Sequence, residues 1–208
     1  MAEYQLWRNH TDKVIINHAE MVYRPGERDA AQAFFEALGF RVSELGPWLM
    51  VLIHPETSNG VDNTLYANEA TPAQMRFEDA FMRSLERDPD VAASLQHYRK
   101  VRMVHPQFNF HFGVTVPTHD EWQERTNRVL EASRSHPLLA CRVEATVLEP
   151  GHPSALGPQS QAFFQTDILA SGSLALGLLF ELQWTPVTAS GEFGSSGRID
   201  YPETAAIV

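Results

Sequence analysis

The sequence predicts an α+β chain of two β-α-β-β-β modules joined by a helical connector, the sheets curving into a mixed cup. Three observations predict it. Two apolar runs with a histidine at their heart, 14–23 around His18 and 108–116 around His111, alternate as strands do. Each is followed by an amphipathic segment with helical spacing, and then by three short apolar runs separated by turn residues. Between the two blocks, residues 71–106 carry helical rather than strand periodicity.

The elements follow in order. Residues 1–12 read as a polar lead-in. The first module occupies 13–70. Its opening strand, 13–23, places Val14, Ile16, His18, Glu20 and Val22 on one face. Arg24-Pro25-Gly26 breaks it. The spacing of Ala31, Phe34, Phe35 and Leu38 predicts a helix over 27–38, and Gly39 suits a helix stop. Strands over 40–45, 48–54 and 63–68 follow, separated by Gly-Pro and Thr-Ser-Asn-Gly.

In the connector, 71–106, Thr71-Pro72 forms a cap and first-turn pair. Phe77, Phe81, Met82 and Leu85 form an apolar stripe, and Val91, Leu95 and Tyr98 continue it beyond Asp88-Pro89-Asp90. The stripe predicts helices packed on a sheet, since a flexible linker would be richer in Gly and Ser. The second module, 107–185, repeats the first. Its strand 108–116 precedes a helix over 121–133, capped by Thr118 or Asp120 and burying Trp122, Thr126, Val129 and Leu130. Strands over 141–148, 161–167 and 174–184 close it. The tail, 186–208, is rich in Gly, Ser, Thr and Pro and reads as irregular. One such module cannot bury its apolar face alone; two can share a core.

Composition narrows the function. With 43% hydrophobic and 20% charged residues, the 208-residue chain is that of an ordinary globular protein. Its net charge is -10 and its 16 Lys and Arg are scattered, which argues against nucleic acid as a partner. No apolar run is long enough to span a bilayer, so no membrane partner is expected. The start carries neither a basic segment nor an apolar one, and Cys141 is the single cysteine; both point to a cytoplasmic protein. Cys141 falls in a predicted strand, where a packed thiol is expected. No phosphate loop, Gly-x-Ser-x-Gly elbow or CxxC motif is present. A small-molecule substrate is the partner class that survives, with the oligomeric state open and a homodimer among the options.

The chemistry concentrates in three residues. His18 and His111 occupy equivalent strands of the repeat, and Glu181 lies in the last strongly apolar run. Charged or metal-liking side chains in mid-strand are costly unless paired or coordinated. Their matching places suggest one metal site.

The fragments that frame these residues resemble those of the vicinal oxygen chelate superfamily, which includes glyoxalase I, extradiol ring-cleavage dioxygenases and fosfomycin-resistance proteins. Ile16-Asn17-His18-Ala19-Glu20-Met21-Val22 opens module one, and residues 33–40, Ala-Phe-Phe-Glu-Ala-Leu-Gly-Phe, are similar to the family's usual helix ending. Phe110-His111-Phe112-Gly113-Val114 opens module two, and Phe180-Glu181-Leu182 closes it. The resemblance covers residues 13–184. It implies a metal in the cup, ligated by His18, His111 and Glu181. A fourth position would come from the last strand of module one. Alternation offers Tyr66 or Asn68 there, and a shifted alignment matching Gly60 with Gly172 offers Glu69 instead.

Two histidines and one carboxylate suit non-haem Fe(II); Mn(II), Zn(II) and Ni(II) accept similar donors. Three protein ligands leave three octahedral positions for a bidentate diol and dioxygen, whereas four ligands suit a glyoxalase-like isomerase. The expected function is therefore a non-haem Fe(II) ring-cleaving dioxygenase acting on a small catechol-like or vicinal-oxygen compound. The alternatives are an isomerase, epimerase or lyase using another divalent metal, and a metal-free binding protein. Many extradiol enzymes carry Tyr-x-x-Asp-Pro-x-Gly before the closing Glu. Here Phe163-Phe164-Gln165-Thr166-Asp167-Ile168-Leu169 keeps the Asp but neither the Tyr nor the Pro. An acid–base group must come from elsewhere, and His54, His105 and Glu20 are the candidates. Trp48, Phe163 and Trp184 are candidate aromatic walls, though alternation sends Trp184 to the face opposite Glu181.

Overall fold

The structure is a computed structural model that describes residues 18–54, 56, 58, 63–155 and 158–186. The predicted lead-in, residues 13–17 of the first strand, Gly60 and residues 187–208 of the tail lie outside the described residues. Module one comprises β1 (His18–Tyr23), α1 (Arg28–Ala37), β2 (Arg41–Leu45), β3 (Trp48–Leu52) and β4 (Thr64–Glu69). The connector is α2 (Pro72–Arg87) and α3 (Pro89–Val104), followed by a 3-10 turn over Pro106–Phe108. Module two comprises β5 (Phe112–Thr115), α4 (His119–Ser135), β6 (Val143–Leu148), β7 (Ser160–Thr166), β8 (Leu169–Ala170) and β9 (Leu178–Trp184).

The repeat is visible in the strand order. Sheet one runs β2-β3-β4-β1-β8 and sheet two β5-β9-β7-β6. In each module the first strand pairs in parallel with the last, β1 with β4 and β5 with β9, and the other pairs are antiparallel. The sheets are open and mixed. β8 differs from the expected layout: Thr166 turns the chain through its hydroxyl, which accepts the Ile168 N–H, and β8 leaves its own module to pair with β1 at Val22 and Tyr23. Sheet one therefore has five strands, the fifth lent by module two. A two-residue strand carries no periodicity of its own, so only its partner reveals it.

The helices α1 and α4 lie over one shared core. Ala31, Phe34 and Phe35 from α1 and Trp122 and Val129 from α4 pack with Met21, Leu65, Phe180 and Leu182 from both sheets. Each fully buried Phe or Leu stabilises this layer by roughly 1.5–3 kcal/mol relative to exposure. Trp122 also needs a partner for its ring N–H, and it donates to the Leu182 carbonyl at 2.9 Å. Polar clamps tie the modules: Arg142 bridges Glu27 (3.0 Å) and Asp167 (3.0 Å), and Arg125 donates to the Leu38 carbonyl at 2.9 Å.

The connector packs on the helix-free face of sheet two. Thr146 donates its hydroxyl to the Met103 carbonyl at 2.6 Å, Arg99 donates to Ala175 at 2.6 Å, and Arg102 donates to Leu176. Met103 covers Leu148, Phe163 and Leu179. The predicted apolar stripe of α2 is buried only in part: Met82 and Leu85 are half-buried, and Phe77 and Phe81 turn outward. Phe77 is 64% exposed and Phe81 38%, stacked on each other, while Glu78 is the buried residue. Its carboxylate accepts the Leu174 N–H and the Ser173 hydroxyl, both at 3.0 Å, and this satisfaction of a turn backbone sets which side of α2 faces inward.

Two further expectations are corrected. Cys141 lies outside β6, exposed and with a left-handed backbone (φ 62°) in the turn before it, so its thiol is not packed. The strand expected over 108–116 begins at Phe112, because the 3-10 turn takes up residues 106–108. No helix of the described residues is long and apolar enough to cross a membrane.

Candidate functional site

Three strands of sheet two assemble the site. Glu181 on β9 is paired with Phe163 on β7 and with Gly113 on β5. Paired residues point to the same side, here the side away from α4. Glu181 is 4% exposed. A buried carboxylate is costly unless its oxygens are satisfied, and each oxygen is. Gln161, two residues before Phe163 on the same face, donates its amide N–H to Oε1 at 2.7 Å. His111, just before β5, brings Nε2 to 3.2 Å from Oε2. Gly113 makes the room: a Cβ there would lie 2.8 Å from Oε2.

His111 is held on its other side too. Its Nδ1 lies 2.7 Å from the Asn109 carbonyl oxygen, and its ring stands edge-on to Phe163. The Glu181 hydrogen bond raises its pKa above the usual histidine value. Burial opposes the shift, and the Asn109 carbonyl and the Glu181 charge add to it. Both ring nitrogens thus face oxygen acceptors. With Nδ1–H given to Asn109, a neutral ring would set the Nε2 lone pair against a carboxylate lone pair. A cation between Nε2 and Oε2, a proton or a metal ion, removes that conflict.

His18 belongs to a different wall. It is exposed at the start of β1, edge-on to the Tyr66 ring at 5.9 Å. It lines a cleft of about 590 Å³ between the modules. Leu65 and His54 share its wall, and Phe112, Gly113 and Val116 stand on the module-two wall. Phe40 and Phe180 also line it, and so does Arg125, whose guanidinium is already paired with Glu121. Gly113 therefore links the two places, lining the cleft while making room for the Glu181 carboxylate.

The three predicted ligands are thus brought together only in part. Two donors on one six-coordinate metal, with bonds of about 2.1 Å at a right angle, sit about 3 Å apart. His111 Nε2 and Glu181 Oε2 at 3.2 Å match that spacing. Their outer atoms are anchored by a backbone carbonyl and an amide, as the supports of ligating side chains are. The pair fits a divalent metal. The full set does not close: among the described residues, no three His, Cys, Asp or Glu side chains gather as a metal group.

The other candidates do not gather around this pair as a group. The register His18 with Thr64 and Glu20 with Tyr66 puts Tyr66 and Asn68 on the His18 face. Glu69 pairs with the buried Tyr23 and accepts the Gly26 N–H at 3.2 Å, so it is turned toward α1 and away from His18. Glu20 is exposed on the His18 face. His54 accepts the Glu56 N–H at Nδ1 (3.2 Å), which leaves the ring proton on Nε2. His105 caps the end of α3 against Phe108 and does not line the cleft. Phe163 lies beside His111, Trp48 is 49% exposed, and Trp184 packs on His119 of α4, on the face alternation predicts.

Gln161, Gly113 and Asn109 were not legible as site residues. A polar residue in the buried run of β7 was the signal for Gln161, yet its partner is twenty positions away.

No protein-family model matches the sequence, and no curated protein matches it. A solved structure, protein PA1353 from Pseudomonas aeruginosa, is similar over 82% of this chain and 98% of that chain, with a TM-score of 0.39 and 12% identity. That likeness is too remote to bear on the site.

Proposed function

We propose that this chain is a metal-dependent enzyme of the vicinal oxygen chelate type, acting on a small molecule in the cleft between its modules. The carrying observation is the pair His111 Nε2 and Glu181 Oε2, 3.2 Å apart, with each partner anchored from behind. In this reading His111 and Glu181 hold the metal, and His18, which lines the cleft, would have to approach them to serve as the third donor. Fe(II) is the favoured ion, and Mn(II), Zn(II) and Ni(II) accept the same donors. The cytoplasm suits both Fe(II) and a chain with one exposed thiol.

Of the reactions open to such a site, ring cleavage of a catechol-like or vicinal-oxygen compound with dioxygen is favoured. The support is that Glu69, the carboxylate among the fourth-donor candidates, is turned away from the His18 face and accepts the Gly26 N–H. A bound Fe(II) would supply Lewis acidity and a template for the two oxygens of the substrate and for dioxygen. The chain itself supplies the rest. Phe40, Phe112 and Phe180 give the cleft an apolar wall for a flat ring. His54, with its ring proton on Nε2, is placed to exchange a proton with a substrate hydroxyl.

Metal titration tests the reading. One Fe(II), Mn(II) or Co(II) per chain is expected, with affinity lost in His111→Gln and Glu181→Gln and reduced in His18→Ala. Absence of stoichiometric binding by every divalent ion tried would overturn it. Oxygen uptake with a catechol panel under Fe(II) then separates dioxygenase from isomerase, because turnover without oxygen rules out ring cleavage by dioxygen.

A further inference from the structure

We infer that Gln161 is a positioning residue: it fixes which oxygen of Glu181 is offered to His111 and to the metal. This rests on the metal reading above. A carboxylate is two-fold symmetric and turns about its last bond. In Glu181 that freedom is removed from one side only, by the Gln161 amide on Oε1 at 2.7 Å, which leaves Oε2 directed at His111 Nε2.

The surroundings argue that packing is not what the amide is for. Gln161 is 4% exposed on β7, paired with Leu148, whose side chain joins Phe163, Leu179 and Met103 in an apolar layer. A side chain there for packing would be apolar.

The test uses Mn(II) and Co(II) titration of the whole chain, with thermal unfolding of the metal-free protein alongside. Gln161→Met keeps the volume and removes the hydrogen bond. Gln165→Met, on the same strand and face but bonded to the Leu176 carbonyl, is the control. The exchange Gln161→Glu with Glu181→Gln keeps an amide–carboxylate bond while moving the charge away from His111. Gln161→Met is expected to weaken binding about 10–100-fold with a melting temperature close to that of the control. The exchange is expected to fold like wild type and still not bind metal. Wild-type affinity in Gln161→Met, or in the exchanged protein, would overturn the inference. If Gln161→Met does not fold, Gln161→Asn, whose amide is one carbon too short, is judged by the same criterion. Failure of the wild-type protein to bind either ion would instead overturn the metal reading, and this inference with it.

Discussion

Gly113→Ala is the smallest change that reaches the centre of the site. Its backbone is not in the left-handed region, so alanine meets no conformational penalty there. In an ordinary strand position the change would stabilise by about 0.4–1 kcal/mol through the unfolded chain. Here the new Cβ lies 2.8 Å from Oε2 of Glu181. A normal carbon–oxygen contact is several tenths of an ångström longer, so the carboxylate has to retreat. It is held by Gln161 and His111, and the retreat stretches both bonds. Overpacking of this kind costs about 1–3 kcal/mol. The net loss is then about 1 kcal/mol, or about 2–4 °C in melting temperature for a chain of this size. The assay is a double-mutant cycle by urea or thermal unfolding of metal-free protein. In a Glu181→Ala background the obstacle is gone, and Gly113→Ala is expected to change sign and stabilise. An equal cost in both backgrounds would refute the claim that Gly113 exists to make room for the carboxylate.

Other outcomes follow from the same contacts. His111 has a folded pKa raised above its unfolded value, so its pairing with Glu181 stabilises fully below the unfolded pKa and the contribution fades as pH rises through the folded one. The stability difference between metal-free wild type and His111→Gln should therefore shrink from pH 6 toward alkaline pH; a pH-independent difference would contradict the pairing. Gly39→Ala places a Cβ 2.9 Å from the Arg125 and Arg128 guanidiniums at a residue with φ of 82°, and should cost about 1–3 kcal/mol by chemical denaturation. A wild-type denaturation midpoint would show that the helix stop tolerates a side chain. Phe77→Ser should stay within about 0.5 kcal/mol of wild type, because Phe77 is 64% exposed. A core-sized loss would restore the buried stripe that the spacing suggests.

Much of the fold is legible in the residues because it rests on local periodicity. The apolar faces of α1 and α4 sit where Phe34, Phe35, Trp122 and Val129 place them. Strands β2, β3, β4, β6, β7 and β9 fall within a few residues of the alternating runs. Legibility ends where a partner distant in sequence decides. Phe77 and Phe81 have the spacing of a buried stripe, but Glu78 satisfies the 173–174 backbone and turns α2 the other way. Cys141 precedes a strand, and the turn that orients it is set by the junction with α4 rather than by alternation. Of the site, alternation shows which residues share a face, yet it is blind to distance between strands.

By itself the sequence determined that the chain repeats a β-α-β-β-β unit, that a histidine opens each unit, and that Glu181 stands in the closing strand. Those features follow from periodicity and order, which are properties of the chain read along its length. The tertiary structure alone decided which of these side chains meet. The parallel pairing of β5 with β9 sets Gly113 against Glu181 and brings His111 to the carboxylate. The pairing of β1 with β4 leaves His18 in the cleft, against Tyr66, and neither His111 nor Glu181 lines that cleft. The physical reason is register: strands brought together from far apart in the chain fix distances to tenths of an ångström, and no pattern within one strand encodes them.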